Sequence, residues 1–268
     1  MKDISEYDAY KFEKGSVTKV TDPLSIESPL QISINGESFT VVMQTPGDEQ
    51  LLATGLLYAE NVISDFNQVK CSFKEDDHGF INEVNLTTPT SNLADGYLSS
   101  RSLLSVSSCG ICGKKEIEEL LPKEEKLTSS TTLSFTSLFQ MFETMNQHQN
   151  AFKITGGCHG IAAFDNEGNL LSIKEDIGRH NALDKVVGDL ISKQLIKKAT
   201  VLTLSGRVSY EMVSKAFRAK IPVIAAVSAP SSLAVDFAKE YGMTLIGFSR
   251  NEKGTCYSGI NRLDELKK

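Results

Sequence analysis

Three short apolar runs in the second half of the chain constrain the fold most, because segments with helical spacing separate them. The runs are VLTL (201–204), VIAAV (223–227) and TLIGF (244–248). Strands that are buried on both faces of a sheet have such continuous apolar runs, and strand–helix–strand connections are typical of parallel strands. The sequence therefore predicts an α/β layer around a partly parallel sheet.

The segments before these runs predict further elements of the same layer. SFTSLFQMFETMNQH (134–148) and NALDKVVGDLISKQL (181–195) have helical spacing. AFKIT (151–155) is interpreted as a strand. IAAFD and LLSIK predict a hairpin that turns through residues 166–169.

The first part of the chain begins as antiparallel sheet. In LQISINGESFTVVM (30–43) apolar residues alternate on both sides of Asn35-Gly36, which is the strongest short-range signal for a hairpin. Asp48 can cap a helix that continues to Tyr58. FINEVNL (80–86) is a weaker strand.

The middle of the chain has no sustained periodicity. The segment 87–108, TTPTSNLADGYLSSRSLLSVSS, predicts a connecting loop. We therefore expect two domains, a β-rich N-terminal domain over residues 1–125 that ends in a cysteine loop, and an α/β domain over residues 126–268.

Composition and charge exclude several classes of function. With 28 Lys+Arg against 34 Asp+Glu, a net charge of −6, the chain lacks the basic excess that duplex DNA or anionic lipid would favour. No apolar run approaches the roughly 20 residues of a membrane helix, and the first residues lack the apolar stretch of a secretory signal. We expect a cytoplasmic protein that binds neither nucleic acid nor membrane, although a local basic pocket for a small phosphate ligand remains compatible with this charge.

The sharpest local motif is Cys109-Gly110-Ile111-Cys112-Gly113, in a chain whose 5 cysteines are too few for a disulfide scaffold. A short helix is predicted just after Cys112, so the helix N-terminus, Lys114 and Lys115 would lower the thiol pKa values. The motif fits a sulfur carrier, a redox pair or a zinc site, to which Cys158-His159 could contribute on paper. Thioredoxin-like folds carry CxxC after their first strand, unlike this chain.

Polar residues follow each of the three apolar runs. They are Ser205-Gly206-Arg207, Ser228-Ala229-Pro230 and Ser249-Arg250-Asn251. Ligands of α/β sheets gather at the carboxyl ends of parallel strands, where backbone N–H groups and Arg side chains match phosphate oxygens. The pattern predicts a nucleotide-type ligand. The alternative is that Ser205, Ser209 and Ser231 cap helices and the arginines are solvated surface.

A second polar cluster, EDIGRHNALDK (175–185), precedes a helix. Its density of charge exceeds what helix capping requires. Arg179 or His180 could hold an anion, and a buried ion pair with Asp176 or Glu175 is the alternative.

Six motifs in order resemble the formate dehydrogenase accessory sulfurtransferases, the FdhD family: SSCGICG, TGGCHGIAAF, EDIGRHNALDK, SGRVSYEMV, AAVSAPSSLAV and TLIGFSR. The resemblance implies a cytoplasmic sulfurtransferase. Such a protein takes persulfide sulfur from a cysteine desulfurase and passes it to the bis-guanine-dinucleotide molybdenum cofactor of formate dehydrogenase. It also implies a homodimer and a C-terminal domain of cytidine-deaminase-like, three-layer fold with a mixed sheet, within a chain that is α+β overall.

The resemblance also implies roles for individual residues. Cys109 matches the persulfide carrier and Cys112 an assisting thiol. The expected cofactor-binding set is Phe248, Ser249, Arg250, Asn251, Glu252, Lys253, Ser205, Arg207, Ser228, Arg179, His180 and His159. In this set Arg207, Arg250 and Lys253 would lie near phosphates and Ser228 or Asn251 near the base, and GDP or a GTP-like nucleotide could mimic the cofactor.

The resemblance leaves some alternatives open. The H-x-E and P-C-x-x-C pattern with which deaminases hold zinc is absent, so no catalytic zinc is expected. A non-catalytic chaperone for the molybdenum cofactor, with CxxC as a structural zinc or docking element, would keep full function without Cys109. A dithiol oxidoreductase would instead turn over a disulfide. Lys220 stands where the family commonly has Gly.

Overall fold

The computed structural model describes residues 3–94, Tyr97 and 125–264. Cys109, Cys112, the helix predicted after them and the loop from residue 98 onwards lie outside the described residues. Within the described ranges the chain forms sheets of two, four and six strands. The mixed α/β class predicted from the sequence is confirmed.

A long N-terminal hairpin forms the smallest sheet. β1 (Ile4–Glu13) pairs antiparallel with β2 (Ser16–Ser25) along its whole length. Its apolar side chains are largely exposed, Phe12 at 78%. The alternation of exposed and buried side chains that identifies a strand is therefore weak here, and this hairpin was not predicted from the sequence.

The four-stranded sheet contains the hairpin predicted around Asn35-Gly36. Both turn residues have left-handed φ values, 52° and 82°, which this turn type requires. The strand order is β4-β3-β6-β5, with β3 and β6 parallel. The strands are β3 (Ser28–Ile34), β4 (Glu37–Gln44), β5 (Lys70–Glu75) and β6 (Ile81–Thr87).

Helix α1 (Glu49–Ala59) packs its Leu52, Ala53 and Leu57 against this sheet. Asp48 lies at its N-cap, as predicted, but its side chain accepts no capping hydrogen bond. Two short 3₁₀ turns, Phe66–Gln68 and Thr90–Asn92, lie on the chain around β5 and β6.

The six-stranded sheet has the order β12-β11-β10-β9-β7-β8. β9, β10 and β11 are parallel, and the other strands are antiparallel to their neighbours. The partly parallel sheet is therefore confirmed, whereas β12 was not predicted. The strands are β7 (His159–Phe164), β8 (Leu170–Asp176), β9 (Val201–Leu204), β10 (Val223–Ala226), β11 (Thr244–Arg250) and β12 (Lys253–Ser258).

Helices cover both faces of this sheet. Ala162 and Phe164 of β7 pack in a core with α2, whereas the alternate residues Ile161 and Ala163 pack in the core with α4, α5 and α6. The result is a three-layer arrangement; the specific likeness to cytidine deaminases stays a prediction. The helices are α2 (Phe135–His148), α3 (Asn150–Thr155), α4 (Arg179–Ser192), α5 (Tyr210–Arg218) and α6 (Ser232–Glu240), and a 3₁₀ turn spans Ile260–Arg262.

The strand predicted at residues 151–155 is wrong, because this segment is the short helix α3. The Glu175 carboxylate accepts hydrogen bonds from the backbone N–H groups of Ala151 and Phe152, both at 2.8 Å. These two bonds cap the helix N-terminus from a distant strand, and Gly156 ends the helix with φ 66°. A long-range contact therefore decides the local structure.

Helix α1 of the four-stranded sheet and helix α4 of the six-stranded sheet pack against each other with their backbones in close contact. A Cβ on Gly55 would lie 1.9 Å from the Asp184 carbonyl oxygen, and one on Gly188 would lie 2.0 Å from that of Leu51. Glycine at both positions lets the backbones touch. The domain boundary predicted at residue 125 falls beside undescribed residues and stays a prediction.

Helix length and polarity bear on the membrane question. None of the helices in residues 3–94 and 125–264 is both long and apolar enough to cross a bilayer.

Candidate functional site

The loops that carry the predicted ligand residues meet at one edge of the six-stranded sheet. β9, β10 and β11 are parallel, so their carboxyl ends share this edge. β7 is antiparallel to β9, which brings its first residue, His159, to the same edge. β8 ends there too, with Asp176 directly opposite His159. We call this side of the sheet, where β9, β10 and β11 end and where His159 and Asp176 lie, the strand-end edge.

Four basic side chains form one part of the strand-end edge, the histidine–arginine cluster of His159, Arg179, His180 and Arg207. The imidazole of His159 packs so closely on Gly206 that a Cβ there would lie 3.0 Å from Nδ1. Burial lowers the pKa of His159, and the positive charges of Arg179 and Arg207 lower it further. His159 is therefore neutral at neutral pH and stays sensitive to any anion that enters.

Arg179 presents an unsatisfied donor in this cluster. Its Nε atom is buried and has no hydrogen-bond partner among the described residues. Buried polar atoms are normally paired, and a guanidinium matches the geometry of phosphate oxygens. Arg207, on the loop after β9, is exposed. The cluster can therefore receive a phosphate or pyrophosphate group.

His180 is held within the protein. Its Nε2 lies 2.8 Å from Glu211 Oε2 and 3.2 Å from Ser209 Oγ. The alternative expectation, an ion pair of Arg179 or His180 with Asp176 or Glu175, is wrong for His180. Asp176 pairs instead with the buried Lys185, Nζ to Oδ2 at 2.8 Å.

The predicted serines have three different roles. Ser205 Oγ accepts a hydrogen bond from the Gly160 N–H at 3.0 Å. The Ser228 carbonyl accepts one from the Phe248 N–H at 3.2 Å, which ties the loop after β10 to the end of β11. Of the three serines for which capping was the alternative, only Ser231 caps its helix, through the Ala234 N–H at 3.2 Å.

The second part of the strand-end edge is an aromatic groove of about 810 Å³. The turn from β11 to β12 forms one wall, with left-handed φ values at Phe248, Asn251 and Glu252. Ser249 is 2% exposed and does not line the groove. The lining residues are Phe135, Phe139, Phe248, Arg250, Asn251, Glu252, Lys253, Gly254 and Thr255.

The opposite wall of the aromatic groove was not predicted from the sequence. Phe135 and Phe139 of α2 lie one helical turn apart, with ring centroids 6.5 Å apart and an interplanar angle of 21°. The i, i+4 spacing of two phenylalanines at a helix start was the available signal, but that spacing is equally typical of a core face. Only the folded chain brings these rings opposite Phe248.

Cys158 lies behind the strand-end edge and is 3% exposed. Its Sγ is 3.1 Å from Ser25 Oγ and 3.9 Å from Thr45 Oγ1. Burial raises its pKa, an effect that these two hydrogen bonds only partly offset. Burial also raises the pKa values of Cys71 and Cys256. All three groups are therefore protonated thiols at neutral pH.

Metal binding was one alternative for the cysteines. Within residues 3–94 and 125–264, no three His, Cys, Asp or Glu side chains converge so as to hold a metal ion. A zinc site at Cys109 and Cys112 would use residues outside the described part of the chain.

Comparisons with known proteins place these features in a family context. The model of the FdhD/NarQ family matches residues 25–264. The chain is 37% identical over 267 residues to the sulfur carrier protein FdhD of Streptomyces avermitilis, covering 94% of this chain and 93% of that protein. It is 37% identical over 259 residues to the sulfur carrier protein FdhD of Sulfolobus acidocaldarius, covering 95% and 96%.

One solved structure shares the fold. It is described as a formate dehydrogenase accessory protein from Desulfotalea psychrophila, with a TM-score of 0.76 and 22% sequence identity. The similarity covers 97% of this chain and 99% of that one.

Proposed function

The chain belongs to the FdhD/NarQ family, and we propose on this basis that it is a sulfur carrier protein that serves formate dehydrogenase maturation. The resemblance inferred from six sequence motifs is thereby confirmed. All six motifs, including SSCGICG, fall inside the matched residues 25–264. The match over these residues is the observation that carries the proposal.

The proposed chemistry takes place at Cys109. Its thiolate attacks the outer sulfur of a persulfide on a cysteine desulfurase, so that a new S–S bond forms while the donor's S–S bond breaks. The donor cysteine leaves as a thiolate, and Cys109 becomes a persulfide. Cys112, three residues away, is the assisting thiol. In the second step the Cys112 thiolate attacks the inner sulfur at Cys109, so that a Cys109–Cys112 disulfide forms and the outer sulfur leaves as hydrosulfide, which passes to the client, the bis-guanine-dinucleotide molybdenum cofactor. A cellular dithiol then reduces the disulfide and restores both thiols.

The strand-end edge is the proposed client site. Its histidine–arginine cluster supplies positive charge and the unpaired Arg179 Nε, which suit a pyrophosphate. Its aromatic groove supplies ring faces for a base, with Arg250 and Lys253 alongside for phosphate. We assign Arg207, Arg250 and Lys253 to phosphates and Asn251 or Ser228 to the base.

Binding of GDP, measured by calorimetry, tests the client site. We expect the protein to bind GDP, and Phe139→Leu to weaken binding about tenfold by removing a stacking face. Phe152→Leu is the matched control, because Phe152 is equally aromatic, 46% exposed and outside the groove. Equal losses in both variants, or no GDP binding by the parent protein, would contradict this assignment.

Formate dehydrogenase activity in cells tests sulfur carriage. Cells whose only copy is Cys109→Ala are expected to lose this activity. Full activity in those cells would contradict persulfide transfer and would favour a chaperone that binds the molybdenum cofactor without carrying sulfur.

A further inference from the structure

We propose that the buried Asp176–Lys185 ion pair is a positioning element of the client site, which fixes the Arg179 turn against the N-terminal sheet. The inference rests on the proposed function in one respect, that the histidine–arginine cluster receives the client's phosphates. The pair itself touches no part of the aromatic groove.

Asp176 is fully buried, and its carboxylate is saturated with donors. Oδ1 accepts hydrogen bonds from the Gly178 N–H at 2.7 Å and from Asn181 Nδ2 at 3.1 Å. Oδ2 accepts one from the Thr45 N–H at 3.1 Å and pairs with Lys185 Nζ at 2.8 Å. One carboxylate therefore holds both sides of the turn that carries Arg179.

The end of strand β4 supplies the other half of the contact. Lys185 Nζ donates to the Thr45 carbonyl at 2.6 Å, and Thr45 Oγ1 accepts from the Ile177 N–H at 3.0 Å. Asn181 Nδ2 also donates to the Met43 carbonyl at 2.7 Å. The turn between β8 and α4 is thus fixed to the N-terminal sheet on both of its flanks.

Stability alone is a poor explanation for this arrangement. Desolvating two charges is costly, and well-packed apolar side chains can replace a buried ion pair at equal stability. What an apolar pair cannot supply is directional bonding to the backbone groups on both sides of the turn. The bonds of the pair converge on the segment that places Arg179 beside His159.

A second buried ion pair, between Asp184 of α4 and Lys215 of α5, is a matched control. Its side chains are 1% and 13% exposed. This pair joins α4 to α5 and contacts neither Thr45 nor the Arg179 turn. It matches the Asp176–Lys185 pair in chemistry and burial but not in position.

The experiment compares two double variants, Asp176→Asn with Lys185→Met and Asp184→Asn with Lys215→Met. Affinity for inorganic pyrophosphate is measured by calorimetry at a temperature where circular dichroism shows every protein folded. We expect the first variant to lose about tenfold in affinity, since charge-assisted contacts of the Arg179 turn are misplaced. The control is expected to remain within about twofold, because its two side chains bond each other and not Thr45 or the Arg179 turn.

The pKa of His159, measured by NMR titration, distinguishes a positioning role from a contribution to stability alone. The charge of Arg179 helps to lower the pKa of His159. The Asp176 charge raises the pKa of His159, so this readout is taken in Thr45→Val, which keeps both charges of the ion pair. Displacement of the turn should raise the His159 pKa in Thr45→Val, and the control double variant should leave it unchanged. The chain has only 4 histidines, which simplifies assignment.

Thr45→Val keeps the inference testable if the first double variant does not fold. It is isosteric, leaves the ion pair in place and removes only the Thr45 Oγ1 contacts, so affinity should fall about threefold with the same rise in the His159 pKa. Parent-like affinity together with a parent-like His159 pKa would overturn the positioning role. If the parent protein itself binds no pyrophosphate, the client site is wrong, and the His159 titration alone then decides the positioning role.

Discussion

Gly206 lies directly against the imidazole of His159, at a distance that leaves no space for a side chain. A Cβ on Gly206 would be 3.0 Å from Nδ1 and 3.2 Å from Cε1 of that ring. His159 is the first residue of β7, and Gly206 lies on the loop after β9, the antiparallel neighbour of β7. The missing side chain therefore sets how close His159 can lie to the loop that carries Arg207.

Gly206→Ala is expected to displace the His159 ring by a few tenths of an ångström. Because the histidine–arginine cluster is proposed to hold phosphate, GDP affinity should fall about three- to tenfold. The melting temperature should change little, since the loop is partly exposed. Calorimetry and thermal unfolding check the two halves of this expectation, and unchanged affinity would show that the His159 position is not needed.

The affinity for anions is expected to increase as the pH falls. The pKa of His159 is lowered by burial and by Arg179 and Arg207 in the free protein. A bound anion favours the protonated ring and so raises that pKa, which makes affinity increase as pH falls through the window between the free and bound pKa values. Above the bound pKa, affinity should be flat.

Inorganic sulfate is the probe for this dependence, because its charge does not change in that range. The comparison is between the parent protein and His159→Gln. The variant should lose most of the pH dependence. A parent-like profile in the variant would assign the effect to another group.

Cys158 is expected to take no part in sulfur uptake. Burial raises its pKa and leaves it 3% exposed, so it is neither a thiolate nor accessible. Cys158→Ala should load sulfur to the same extent as the parent, and iodoacetamide should modify Cys158 only after unfolding. Loss of loading in a folded Cys158→Ala protein would instead indicate a sulfur relay.

Gly188→Ala should destabilise the protein although alanine favours helices. In an isolated helix the change would stabilise by about 1 kcal/mol. Here the new Cβ would lie 2.0 Å from the Leu51 carbonyl oxygen, so α1 and α4 must separate. We expect a net loss of about 2 kcal/mol in the free energy of unfolding, measured with urea.

Thr136→Ala, at an exposed position of α2, is the control for this helix substitution. It should change the stability by less than about 0.5 kcal/mol. Similar effects of the two substitutions would mean that the contact between α1 and α4 is not tight.

Local patterns identified most of the interior elements. Asn35-Gly36 predicted its hairpin because the turn chemistry is contained in two residues, and the run TLIGF predicted β11 because a strand buried on both faces needs continuous apolar residues. Lys220, where the resemblance leads us to expect Gly, has a left-handed φ of 58°, a conformation that Gly adopts without steric cost. Each of these signals depends only on residues that are close in the chain, so the sequence alone is enough to predict the structure there.

The predictions that were wrong or missing concern residues whose structure depends on contacts with distant parts of the chain. Residues 151–155 look like a strand, but Glu175 caps them as a helix from across the fold. The sequence suggested that Asp176 forms an ion pair with Arg179 or His180. Its charge partner is instead Lys185, and the backbone N–H of Thr45 also donates to it. Phe135 and Phe139 became part of the groove only through packing of α2 beside the β11–β12 turn. Spacing along the chain does not contain this information.

Intact-protein mass spectrometry shows whether Cys109 carries sulfur. The protein is incubated with a cysteine desulfurase and cysteine, beside Cys109→Ala. We expect a gain of about 32 Da that a thiol reductant reverses and that the variant lacks. No gain in the parent protein, or an equal gain in the variant, would contradict sulfur carriage at Cys109.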